Sequence, residues 1–273
     1  MSVYIHGGLR TPIGVLNGQY RNMRPEMLGA QLIDELIKRY DISQVDGIFC
    51  GNAVGTGGNI GRLMGLMTNL PNSVSAITVD MQCASALMSI EMAYTHIASG
   101  VMDSAIAGGI ESSSLQLDRM YAANDDRKGL YKVAQFSPQD CSPLAMLEGA
   151  ERTIQKHNVL KEDLYPYIIG SHKRASEALN NPHLKSYIMP ITIDGKACVD
   201  ECIRPKMNEK LLSRMKPLLG PNAITNAGNA CLTHDGAAFV YVSNEKGPFR
   251  IYSVMPWAGN PQFSPEGALE STE

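Results

Sequence analysis

The sequence predicts an α/β protein, a layered sheet flanked by helices, with a mainly helical unit inserted between two of its strands. Three observations carry this. Short apolar runs alternate with longer stretches of helical period, the stretch from Leu115 to Pro205 turns more polar, and apolar runs return after Asn222.

In chain order, Val3 to Ile5 and Gly47 to Cys50 read as strands, followed by Ile77 to Val79, Ser104 to Ala107, Ala237 to Val242 and Arg250 to Val254. Helices fill the gaps. Pro25 to Tyr40 carries Met27, Leu28, Leu32, Leu36 and Ile37 on one stripe, with proline fitting its first turn. Cys83 to Ser99 carries Leu87, Ile90, Tyr94 and Ile97 on another and closes at Gly100. In the polar stretch, residues 124–129 read as an exposed turn, and helices are expected around Leu147 to His157 and Asp163 to Asn180. Lys206 to Gly220 is a basic, helix-like segment, and Pro265 to Leu269 starts a further helix. The expected units are a discontinuous α/β core at 1–114 and 206–246, an inserted unit at 115–205, and the start of another α/β unit at 247–273.

Composition narrows the function classes. With 273 residues, 44% of them apolar, the chain can bury a real core, which excludes global disorder. Twenty-four basic against 27 acidic residues, a net charge of −3, give no electrostatic case for nucleic acid or an anionic membrane. No apolar run reaches the roughly 18 residues of a membrane span, and the opening residues lack a secretory core, so the expected location is the cytoplasm. The six cysteines, at 50, 83, 141, 198, 202 and 231, form no CxxC pair and have no histidine at zinc spacing. Neither a metal nor a disulfide framework is expected.

One cysteine has a local reason to react. In Ala76 to Leu87 a strand, a tight turn and a helix follow one another, which puts Cys83 at a helix N-terminus. There the dipole and free N–H groups favour thiolate and can hold an oxyanion when the sulfur attacks an acyl carbonyl. A small residue packing a strand-helix corner would look the same in sequence.

The segments Arg10-Thr11-Pro12-Ile13-Gly14, Asp80-Met81-Gln82-Cys83-Ala84-Ser85-Ala86, Ala107-Gly108-Gly109-Ile110-Glu111-Ser112 and Asn229 to Ala237 resemble thiolase blocks in thiolase order. Ser171 to Ala175 and Asp200 to Pro205 add two more, so the resemblance covers essentially the whole chain. Ketoacyl synthases share the strand-nucleophile-helix arrangement but match these blocks less well. The resemblance implies an acetyl-CoA C-acyltransferase: Cys83 is the acylated nucleophile, coenzyme A and acyl-CoA are substrates, and no cofactor is permanently bound. It makes the inserted unit the loop domain that holds coenzyme A. Met146 then lines the pantetheine tunnel, Arg204 lies near the nucleotide, Cys231 is a pantetheine wall position, and Ala227 joins these contacts. The alternatives for Met146, Arg204 and Cys231 are an ordinary helix residue, a solvated charge and a core cysteine respectively.

The resemblance also implies a homodimer or homotetramer. Residues 57–62 resemble the family's interface loop, where Arg62 helps order a partner's site or simply belongs to a surface loop. His172 and His234 are read as structural. Thiolases take further acid, base and oxyanion groups from Gly-His-Pro, Asn-Glu-Ala-Phe and Cys-x-Gly-Gly-Gly blocks, and none occurs in these 273 residues. Losing an activating base or an oxyanion donor costs about 100-fold or more in rate. The expectation is therefore a piece of a thiolase whose missing histidine and cysteine come from a C-terminal half or a partner chain. The alternative is a non-catalytic acyl-CoA-binding scaffold.

Overall fold

The computed structural model describes residues 2–251 except 56, 133, 136, 139–141 and 232. Its elements are, in order, β1 (Val3–Arg10), β2 (Gly14–Val15), α1 (Pro25–Arg39), β3 (Gly47–Gly51), α2 (Ile60–Met67), β4 (Ser75–Val79), α3 (Ser85–Ala98) and β5 (Ser104–Ser112). The inserted stretch contributes β6 (Arg119–Met120), β7 (Leu130–Tyr131), α4 (Ala145–Lys156), α5 (Lys161–Asn180), α6 (Pro182–Ser186), β8 (Thr192–Ile193) and β9 (Lys196–Ala197). After it come α7 (Glu209–Leu212), β10 (His234–Ser243) and β11 (Phe249–Ile251).

The main sheet runs β11-β1-β10-β5-β3-β4, with β2 paired to β10. β3 pairs in parallel with β4 and β5, whereas β10 is antiparallel to β5 and β1. Helices cover both faces, and the period-two alternation along β5 sorts them. Ile106 and Ile110 meet Leu28, Leu32, Ile33 and Leu36 of α1 and Met64 of α2 on one face. Ala105 and Ala107 meet Ala93 and Ile97 of α3 on the other. Burying each large apolar side chain contributes about 1.5–3 kcal/mol, so the α1 stripe alone fixes that helix to the sheet.

Pro25 opens α1 as its missing N–H predicts, and Glu26 sits in the first turn with Lys38 and Arg39 in the last, each complementing the dipole. The helix ends without glycine: Asp41 takes φ 49°, and the Ile42 N–H reaches back to the Ile37 carbonyl at 3.0 Å. α3 ends in the same way at Gly100, φ 77°, as its sequence indicates.

Several boundaries differ from expectation. β1 and β5 run five residues longer than the apolar runs suggest, because glycines that read as strand ends are paired: Gly108 lies opposite Phe239 and Gly109 opposite Ala238. α2 begins inside the expected interface loop, where Asn59 caps it by accepting from the Arg62 N–H. Arg62 itself turns back on its own chain and donates to the Val74 and Asn72 carbonyls at 2.6 and 2.8 Å. The basic 206–220 segment forms only the four-residue α7, since Pro205 and Pro217 interrupt the backbone bonding of a longer helix. Contacts of the inserted unit run past residue 205, with Met207 and Leu212 packing on Tyr165 of α5. The strand expected at Arg250 to Val254 begins as β11, and its remainder, like the helix expected at Pro265, lies outside the described residues. So does most of the unit expected at 247–273. Among the described residues no helix is long and apolar enough to cross a membrane.

Candidate active site

β3, β4 and β5 are parallel, and the loops leaving their carboxyl ends form one crevice, the usual place for a site in such sheets. Cys83 lies there, on the turn between β4 and α3. It precedes the first residue of α3 by two and is not inside the helix as the sequence suggests. Gln82 explains the offset: its φ of 52° is a left-handed conformation rare for residues other than glycine. The turn is tied down on both sides. The Gln82 N–H donates to Asp80 Oδ1 at 2.9 Å, and Ser85 Oγ donates to the Gln82 carbonyl at 2.6 Å while accepting from the Met81 N–H at 2.8 Å. Cys83 is thereby held out toward solvent and is exposed.

Around it is a cleft of about 490 Å³ lined by Gly51, Asn52, Ala86, Glu111 and Ala238 among others. A Cβ on Gly51 would stand 2.6 Å from the Ala86 nitrogen, so only glycine lets β3 come this close to the start of α3. Glu111 fixes the neighbouring loop. Its carboxylate accepts from the Ala53 and Val54 N–H groups at 2.9 Å and from the Gly55 N–H and the Asn52 amide at 3.1 Å. The sequence marked Glu111 only as part of a block; its role comes from the fold, which brings the end of β5 beside the end of β3.

A second cavity of about 490 Å³ lies between α5 and the loops at 202–204 and 227–231. It gathers Arg204, Ala227 and Cys231, three of the residues that the resemblance assigns to coenzyme A. Met146 is in the lining of neither cavity: it sits on α4, a helix of which only Glu151 is buried, with 78% of its surface exposed. Two groups read as scaffold or not read at all hold this cavity. His172 Nδ1 accepts from the Arg204 N–H at 3.2 Å, and burial and the Arg204 charge lower the pKa of the ring. Glu151 accepts from the Ile224 and Thr225 N–H groups and the Thr225 hydroxyl at 2.6–3.2 Å, anchoring the loop that carries Ala227. His234 lines both cavities.

The thiols separate by environment. Cys50 is buried, which pushes its pKa up to about 12, and burial also raises Cys198 and Cys202. Cys83 and Cys231 are exposed, and Cys141 lies outside the described residues. Among the described residues no cluster of three or more His, Cys, Asp or Glu could hold a metal ion.

Comparison with known proteins bears on this arrangement. Residues 3–246 match the family model described as "Thiolase, N-terminal domain". The chain is 32% identical over 244 residues to "Putative acetyl-CoA C-acetyltransferase VraB" of Staphylococcus haemolyticus, covering 87% of this chain and 64% of that protein. A Staphylococcus aureus protein of the same name is 31% identical over 240 residues, covering 85% and 63%. The chain thus spans less than two thirds of these relatives. A Bacillus anthracis acetyl-CoA acetyltransferase crystal structure superposes with a TM-score of 0.79 at 25% identity, over 89% of this chain and 66% of that one.

Proposed function

This chain belongs to the thiolase family, and from that premise we propose that Cys83 accepts an acyl group from an acyl-CoA thioester in thiolase-type acyl transfer. The observation that carries the reading is the tied turn that holds an exposed thiol in a cleft at the carboxyl ends of the parallel strands. Sγ attacks the thioester carbonyl, the bond from carbonyl carbon to the coenzyme A sulfur breaks, and coenzyme A leaves with a proton as the acyl-cysteine forms. A second thiol or an acetyl-CoA carbanion resolves the intermediate, giving 3-ketoacyl-CoA thiolysis or acetyl-CoA condensation. Coenzyme A and its thioesters are substrates, with no permanently bound cofactor.

Arg204, Ala227 and Cys231 are the proposed coenzyme A contacts, since one cavity gathers them. A guanidinium suits phosphate or adenine, and small walls suit a thin arm. Full turnover draws on the histidine and cysteine that thiolases carry in their C-terminal half, acting with these 273 residues. A homodimer or homotetramer fits the edge of β4, which among the described residues pairs only with β3 and leaves Ile77 42% exposed. The setting is the cytoplasm, in fatty acyl metabolism.

The test is acetyl-CoA labelling followed by peptide mapping. Wild-type chain acquires one acetyl group, on Cys83, and Cys83→Ala acquires none. Acetylation that survives the substitution removes this mechanism.

A further inference from the structure

The wall between the two cavities contains an imidazole with an unused nitrogen. His234 opens β10, its backbone paired with Val15 of β2 and its carbonyl accepting from the Ser113 hydroxyl. Its ring atom Nε2 is shut off from solvent and has no hydrogen-bond partner. Buried polar atoms in folded proteins are almost always paired, because an orphan keeps the full cost of desolvation, about 1–3 kcal/mol. Among the described residues the only other such side-chain atom is the Tyr165 hydroxyl, which belongs to the small core under α5. His234 differs in position. Among the described residues it alone lines both the Cys83 cleft and the cavity of Arg204 and Cys231.

A ligand that occupies both cavities meets this ring, because His234 lines each of them. We infer that His234 is a substrate-contacting residue: its Nε2 takes a hydrogen bond from, or gives one to, a secondary amide of the pantetheine arm as the arm crosses between the cavities. The inference rests on the proposed use of coenzyme A thioesters and adds a contact to it. The chemistry matches in either tautomer, because a secondary amide offers both an N–H donor and a carbonyl acceptor, and the neutral ring presents one or the other at Nε2. The χ2 torsion of histidine is broad, so the ring can reorient at little torsional cost. The neighbouring Asp235 is engaged elsewhere: its carboxylate accepts from the Ser114 N–H at 2.9 Å and from the Ser114 hydroxyl.

Calorimetry on the whole chain tests this with two ligands, coenzyme A and adenosine 3′,5′-bisphosphate, which has the nucleotide end without the arm. His234→Ala is expected to weaken coenzyme A binding about fivefold, the worth of one neutral hydrogen bond, and to leave the bisphosphate unchanged. His234→Asn, which keeps a donor and an acceptor, restores most of the loss. Equal affinity of wild type and His234→Ala for coenzyme A overturns the contact while leaving the acyl-transfer reading intact. Parallel loss of both ligands, unrelieved by asparagine, also overturns it by showing a merely structural ring. Failure of the wild type to bind coenzyme A removes both. A measurement on wild type alone covers the case of a misfolded variant: the ¹⁵N signal of His234 Nε2 should move on adding coenzyme A and stay put with the bisphosphate. An unmoved signal contradicts the inference.

Discussion

The two cavities that meet at His234 are built by different means. The walls of the Cys83 cleft are strand ends, so the β3, β5 and β10 ladders set them and one carboxylate, Glu111, closes the loop after β3. The walls of the Arg204 cavity are loops and a helix joined by side chains that reach across long sequence separations, Glu151 to Thr225 and His172 to Arg204. The difference teaches that the Cys83 sulfur is placed at the ends of the sheet strands and the proposed ligand contacts by a few side-chain locks. Each lock is expected to break without the other.

The largest effect is expected at Glu111. Glu111→Gln puts an amide NH₂ where one carboxylate oxygen now accepts, so backbone donors of the 53–55 loop lose a charged partner. Stability should fall by about 2–3 kcal/mol, read as a lower urea midpoint, with faster amide exchange at 53–55. An unchanged midpoint would show that the strands alone hold the loop.

Glu151→Gln should act on the other cavity. Burial alone would raise the Glu151 pKa, but hydrogen bonds from the Thr225 hydroxyl and from the N–H groups of Ile224 and Thr225 outweigh it and hold the carboxyl below its ordinary value. The substitution is expected to cost about 1–2 kcal/mol and to weaken coenzyme A binding without slowing Cys83 alkylation. Equal damage to both readouts would mean that the cavities are not separable. By linkage, the lowered pKa makes the Glu151 contribution complete above the unfolded carboxyl value and lost as pH falls through the folded one.

The smallest effect concerns His172. Its pKa is lowered by burial first and the Arg204 charge second, so the unfolded chain binds its proton more readily. The neutral ring's stabilisation is present above about 6.5 and declines as pH falls below it. Thermal midpoints measured from about pH 7.5 to 5.5 should drop less steeply in His172→Gln than in wild type. Parallel slopes would remove His172 as the titrating lock.

Much of this was readable from residues, and the limits have physical causes. Strongly periodic segments such as α1 and the alternation of strand and helix were legible, as was the turn before α3, because pattern and turn chemistry act locally. Strand ends at Gly108 and Gly109 were not, since pairing with β10 overrides local punctuation. Cys83 stood out through its block and its turn. Glu111 and Glu151 carry no local mark, because each closes a loop 56 or more residues away in sequence. His234, read as structural, lines both cavities, a placement that depends on the fold and not on its local sequence. Met146 shows the reverse: a motif position that the fold leaves 78% exposed on α4.

The account depends most on an accessible Cys83 thiol that a thioester arm can reach. Iodoacetamide alkylation followed residue by residue tests it directly. Cys83 is expected to label faster than Cys50 and Cys198, and acetyl-CoA should protect it. Labelling of Cys83 no faster than of those two, or with no protection by acetyl-CoA, would contradict the account.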